Sequence, residues 1–231
     1  MAPNLRVRRR AETLDEIKQA ALDQIAAYGA GTLTVRGVAR AIGMSPAGLY
    51  RYYDGLDSLI TDLVADAYSD LASAVEAATE APGEVLPRLR EGMLAYRRWS
   101  LDHPNRFLLI FGTPIPGYSA PQDGPTVQAH RRVGAAFFSV VAEGWRCGRL
   151  SLPEATRATT THERAFVDDV DPGFPPTWLS AFFGAWAHFH GMVTLEVLHQ
   201  LDWVYPEAEI FFCTEIDRLL ASWARTGAAA A

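Results

Sequence analysis

An all-α fold is predicted by two features of the chain. Apolar residues recur at three- and four-residue intervals in one segment after another, and no alternating apolar run is long enough to make a strand. Ser, Thr, Gly and Pro stand at the helix-start and helix-stop positions between those segments. No internal repeat occurs.

The first helix is expected over 13–28. Thr13-Leu14-Asp15-Glu16 has the form of a capping box, Leu14, Ile17, Ala21, Ile25 and Tyr28 follow at helical spacing, and Gly29 supplies a left-handed stop. Thr34 caps the next helix, which turns Val35, Val38, Ala39 and Ile42 inward and ends at Gly43. Met44 alone separates that glycine from the next cap, Ser45, and Pro46 takes the favoured first helical position. Two short helices joined by a Gly-containing turn are the helix-turn-helix pattern. The second, expected over 46–53, buries Leu49 and leaves Ala47, Gly48, Tyr50, Arg51 and Tyr52 outward. So few apolar anchors suit a groove rather than a core.

After Asp54-Gly55, the residues Leu56, Leu59, Ile60, Leu63, Ala67, Leu71 and Val75 mark a long amphipathic helix to 79, broken by Ala81-Pro82-Gly83. Further helices are expected over 84–102, 104–111, 125–149, 176–201 and 206–225. Two irregular stretches interrupt them: 112–124, rich in Pro and Gly, and 151–176, with a threonine run and the acids Asp168, Asp169 and Asp171.

Composition sets limits on function. With 49% apolar and 21% charged residues the chain reads as a soluble globular protein. No run reaches the roughly 18 uncharged apolar residues of a membrane span, and Arg6, Arg8, Arg9 and Arg10 lead into Ala11-Glu12-Thr13 rather than the apolar core of a secretory signal. A cytoplasmic location is expected. Cys147 and Cys213 lie far apart without metal-ligand spacing and read as buried free thiols. The net charge of −6 is unevenly spread: residues 1–55 hold eight basic side chains against five acidic ones, a balance of +3, which leaves −9 for the remainder. A basic head on an acidic body suits a DNA reader with a separate second domain. The carboxylates Glu91, Asp102, Glu143 and Glu163 form no Glu-x-x-His pair, no Gly-rich phosphate loop precedes a helix, and no serine has a nucleophile-elbow context. No enzyme, catalytic residue, cofactor or metal site is expected.

The stretch Leu33-Thr34-Val35-Arg36-Gly37-Val38-Ala39-Arg40-Ala41-Ile42-Gly43-Met44-Ser45-Pro46-Ala47-Gly48-Leu49-Tyr50-Arg51-Tyr52-Tyr53 resembles the DNA-binding domain of TetR/AcrR transcriptional regulators. That resemblance implies phosphate contacts from Thr34, Arg36 and Tyr50, and approach to bases or backbone by Ser45, Ala47, Gly48, Arg51 and Tyr52. The chemistry agrees: a helix N-terminus presents free N–H groups to phosphate, small residues permit close approach, and an arginine can fork onto guanine. One departure stands out. Where many members carry a phosphate-binding lysine just after the recognition helix, this chain has Leu56, with Asp54 and Asp57 beside it. The backbone grip then rests more on Arg36, Tyr50 and the N-terminal arginines, which are either a solvated tail or an arm for a minor groove. A second resemblance lies in Trp186-Ala187-His188-Phe189-His190-Gly191, similar to the Trp-x-x-x-His-Gly signature of one group of TetR-type C-terminal domains.

The division that follows is a DNA-binding domain over 1–55, with a basic arm over 1–12, and a helical effector-binding and dimerisation domain over 56–231. Aromatic residues in the second part are core by default, and a subset is expected to line a cavity for a small hydrophobic or aromatic effector. These are Met93, Tyr96, Trp99, Phe107, Phe111, Phe138, Trp145, Phe182, Trp186 and His190, with 112–124 as an entrance. His188 and His190 fall on different faces of a helix and share no metal. A homodimer is expected through the last two helices, on Phe182, Trp186, Val193, Leu195, Val197, Leu198, Ile210, Phe211, Ile216, Leu219, Leu220 and Trp223. The expected function is a homodimeric repressor released from operator DNA by its effector. The alternatives are a TetR-type activator or a regulator without a ligand and, behind them, a helical enzyme.

Overall fold

A computed structural model describes residues 5–224, which carry ten α-helices and no strand. They are α1 (Leu5–Tyr28), α2 (Val35–Ala41), α3 (Pro46–Leu49), α4 (Leu56–Thr79), α5 (Val85–Asp102), α6 (Pro104–Phe111), α7 (Pro125–Arg146), α8 (Thr161–Val170), α9 (Leu179–Val197) and α10 (Ala208–Trp223). Residues 1–4 of the expected arm and 225–231 at the other end lie outside the described residues. No helix is long and apolar enough to cross a membrane among those described.

Several helix ends fall elsewhere than the sequence predicts. Helix α1 runs back to Leu5, so Thr13 is no cap: its hydroxyl donates to the Arg9 carbonyl at 3.0 Å inside the helix. Nothing between Leu5 and Thr13 breaks a helix, and Arg8 pairs with Glu12 one turn on. A complete capping box stands instead at Thr160 and Glu163, and it starts α8 within the stretch expected to be irregular. Helix α7 stops at Arg146 because Gly148 turns left-handed (φ 64°) and lets Arg149 N–H reach back to the Gly144 carbonyl. Helix α9 is closed the same way by His199 (φ 56°), with Gln200 N–H donating to the Leu195 carbonyl.

Packing divides the chain into two compact units. One holds the residues up to Asp70 together with His103–Arg132, and the other holds Leu71–Asp102 with the residues from Val133 onward. The packing boundary differs from the expected one at 55/56 because the first turns of α4 and part of α6 complete the core of the first unit, the headpiece. Ile17, Ala21, Leu33, Val38, Leu49, Leu59, Ile60 and Leu109 are buried together there. In the second unit α5, α9 and α10 pack against one another. Met93, Tyr96, Phe189, Val193, Phe212 and Ile216 are buried in that unit.

Candidate nucleic-acid interface and effector region

The candidate surface is built by two caps and one left-handed glycine. Thr34 Oγ1 accepts from Gly37 N–H at 3.1 Å to start α2, and Ser45 Oγ accepts from Gly48 N–H at 3.1 Å to start α3. Gly43 (φ 65°) turns the chain between them, and Met44 N–H closes α2 on the Ala39 carbonyl at 2.8 Å. Each capping hydroxyl still has its hydrogen to donate, and a phosphate oxygen is an acceptor. Thr34, Arg36, Ser45, Ala47, Tyr50 and Arg51 are all exposed. Two residues depart from expectation. Gly48 is buried rather than outward: a Cβ there would lie 2.8 Å from Met44 Cγ, so the glycine lets the turn residue pack against α3. Tyr52 is half-buried, packed against the headpiece core with the Arg10 guanidinium 4.9 Å from its ring centroid.

A polar network missed by the sequence reading ties this surface to α4. Tyr53 is buried and its hydroxyl donates to Asp62 Oδ2 at 2.7 Å; Lys18 Nζ donates to Asp66 Oδ2 at 2.6 Å and lies 2.9 Å from Asp62 Oδ2. Burial pushes the Tyr53 phenol pKa up, and the bond to Asp62 pushes it further. For Lys18 burial acts downward, but the bonds to Asp62 and Asp66 outweigh it and raise the ammonium pKa. Asp62 and Asp66 stand four apart on one face of α4, a spacing that was available as a signal. Leu56 is partly buried against the headpiece core, which accounts for an apolar residue at this position.

Eight of the ten residues expected around an effector fall into three groups. Phe107 and Phe111 belong to the headpiece unit, ring centroids 5.1 Å apart, with Tyr68 5.6 Å from Phe111 and 5.1 Å from His130. In the second unit Tyr96, Trp186 and His190 come together with Phe189. Trp186 and His190 stack at 5.3 Å with planes 8° apart, and His190 Nδ1 lies 2.8 Å from the Tyr96 hydroxyl. Burial holds the His190 pKa below its ordinary value. Phe138, Trp145 and Phe182 form the third group around Phe174, at 4.7 Å from Phe138 and 5.9 Å from Trp145, with Phe138 and Phe182 5.5 Å apart. Met93 and Trp99 are buried. Phe174 and Phe189, central to two of these groups, were not picked out from the sequence. The 112–124 stretch, expected as an entrance, is seated on the headpiece: Ile115 and Tyr118 pack on its core and the Tyr118 hydroxyl lies 3.1 Å from Thr61 Oγ1.

The last two helices divide their apolar residues between inside and outside. Val193, Val197, Ile216, Leu220 and Trp223, expected at a dimer interface, are buried in the chain's own core, because α9 and α10 pack on each other and on α5. Leu195, Leu198 and Ile210 are exposed, Phe182, Trp186, Phe211 and Leu219 are half-buried, and Trp203, Val204 and Tyr205 in the α9–α10 link are exposed. Arg97 of α5 crosses to both helices, 2.6 Å from Glu196 and 3.2 Å from Glu209. Neither cysteine is buried as expected: Cys147 is exposed where α7 has ended, and Cys213 is half-buried on α10.

Residues 17–63 match the family described as bacterial regulatory proteins, tetR family, and residues 89–219 match the one described as tetracyclin repressor-like, C-terminal domain. The HTH-type transcriptional regulator Rv1816 of Mycobacterium tuberculosis is 32% identical over 210 residues, covering 87% of this chain and 88% of the relative. Among solved structures, regulatory protein SCO4313 is 32% identical with a TM-score of 0.76, covering 95% of this chain and 100% of its own. The TetR family regulator PfmR of Thermus thermophilus shares the fold, with a TM-score of 0.61 at 18% identity over 90% of this chain and 99% of its own.

Proposed function

Because this chain belongs to the TetR family of bacterial regulatory proteins, we propose that it is a homodimeric, cytoplasmic repressor that reads operator DNA with α2 and α3 and leaves it when a small hydrophobic or aromatic molecule binds the second unit. The DNA reading is carried by one observation. On α3 and the turn after it, Leu49 is buried while Ala47, Tyr50 and Arg51 are exposed, so the helix is held by its back and offers its front. Arg51 reaches for base edges; Thr34, Arg36 and Tyr50 hold phosphates.

A single helix-turn-helix makes few base contacts, and a two-fold partner doubles them at half-sites about one helical turn apart. The exposed Leu195, Leu198 and Ile210 support pairing through α9 and α10. Effector occupancy shifts DNA affinity only if the two states bind it differently. Helices α4 and α7 each begin in the headpiece unit and end in the other, so they are the elements through which occupancy reaches the reading surface. The close ring packing around Phe174 and Phe189 favours a second reading, a regulator that needs no ligand, because an effector there has to displace rings already in contact.

Fluorescence anisotropy with duplexes from the chain's own upstream region tests the proposal. Arg51→Ala is expected to cost about 1–3 kcal/mol on the specific site and relax sequence preference, while Arg36→Ala weakens all sequences and lowers the salt slope by about one. Wild-type affinity in both variants overturns the assignment. Light scattering is expected to give twice the 25.4 kDa chain mass. In a screen of hydrophobic compounds, release from DNA that is weakened by Trp186→Phe or Phe138→Ala supports the effector reading, and no release by any compound supports the ligand-free one.

A further inference from the structure

The face of α1 that packs on the headpiece does not end where the core ends. Ile25, Ala21 and Ile17 are buried and Leu14 packs at the core's edge. Four residues further back on that face stands Arg10, four more back is Arg6, and Arg9 lies beside them three residues after Arg6. Helix α1 continues unbroken to Leu5, so these arginines ride on a helix. The Arg10 guanidinium over the Tyr52 ring places this face beside the turn that carries Arg51. Elsewhere around the helix, Arg8 is paired with Glu12 at 3.3 Å, and Asp15, Gln19 and Asp23 continue an exposed polar face. Residues 5–12 are all exposed, so the stripe has no core of its own to hold.

We infer that the first two turns of α1 are a second DNA-contacting element, a helical stripe of Arg6, Arg9 and Arg10 that grips the phosphate backbone next to the half-site read by α3. The inference rests on the DNA-reading proposal above. An α-helix with its side chains is about 10–12 Å across and a B-form minor groove about 6 Å wide, so a helical arm does not enter it. Its partner is the sugar–phosphate backbone, and it adds grip and salt dependence rather than sequence choice.

The test compares the salt dependence of operator binding by the full-length chain and its variants, each with its helix content and thermal midpoint checked. The triple variant Arg6→Ala/Arg9→Ala/Arg10→Ala is expected to lower the slope of log affinity against log salt by about 2–3 per bound subunit, and Arg8→Ala by less than a third of that. Ala11→Pro keeps every arginine but breaks the arm helix, and it is expected to match the triple variant. Replacing guanine by inosine in the flanking base pairs changes only the minor-groove edge and is expected to leave affinity unchanged. An unchanged slope in the triple variant overturns the inference while leaving the DNA-reading proposal standing. So does an Arg8→Ala effect as large as the other arginines', which marks an unstructured charged tail. Full binding by Ala11→Pro together with sensitivity to inosine also overturns it, in favour of an extended minor-groove arm. Failure of the unaltered protein to bind any upstream duplex overturns both.

Discussion

Tyr53 and Asp62 are joined by a 2.7 Å hydrogen bond that fastens the turn after α3 to the second turn of α4. Lys18 approaches the same carboxylate oxygen from α1, so one acidic side chain gathers three elements of the headpiece. Tyr53→Phe removes one bond and is expected to cost about 0.5–1.5 kcal/mol. Asp62→Ala is expected to cost more, since it leaves a buried phenol hydroxyl without its acceptor. Urea unfolding measures both; equal midpoints for wild type and Asp62→Ala would show that the network holds nothing.

A second expectation concerns acid. His190 has its pKa lowered by burial, and so has His130, where Arg131 adds repulsion. Below the ordinary histidine value of about 6.5 the unfolded chain takes up protons that the folded chain refuses. Stability is therefore complete above that pH and falls as the pH drops toward the folded-state values. Thermal midpoints between pH 8 and 5 should decline less steeply in His190→Gln than in the wild type, and less steeply still when His130→Gln is added. Parallel curves for wild type and double variant would refute the assignment.

The Arg97–Glu196 pair is almost wholly buried, with side chains 8% and 12% exposed, whereas Glu209 is 68% exposed. Removing one partner of a buried pair strands the other charge, so Arg97→Ala is expected to cost about 3–5 kcal/mol. Glu209→Ala should cost under about 1 kcal/mol, as an exposed partner does. Arg97→Met combined with Glu196→Leu is expected to recover most of the loss. Chemical denaturation of the four proteins decides it, and a double variant as unstable as Arg97→Ala alone would contradict the account.

Much of the headpiece was legible because its information is local. Thr34, Gly43, Ser45 and Pro46 act within four residues of themselves, and the caps and turn they predict are the ones found. Locality also misleads. Thr13 and Thr160 both open a Thr-x-x-Glu pattern, yet only Thr160 starts a helix, since nothing before Thr13 stops α1 from continuing toward its N-terminus. His199 ends α9 where no glycine signals a stop, because the reverse bond from Gln200 to Leu195 compensates a left-handed residue that is not glycine.

The sequence by itself determined the all-α class, the order of the helices except α8, and the helix-turn-helix with its exposed arginine and tyrosine. These follow from spacings of three and four residues and from single capping side chains, interactions that close within one or two turns of chain. Only the tertiary structure decided which aromatic rings touch, that Phe107 and Phe111 belong to the headpiece unit, and that Val193 and Ile216 face inward while Leu195 and Ile210 face out. Helices such as α9, apolar on more than one side, carry no record in their periodicity of which neighbour covers which side. That choice is made by burial against residues far away in sequence, and burial energy is indifferent to where along the chain the covering surface comes from.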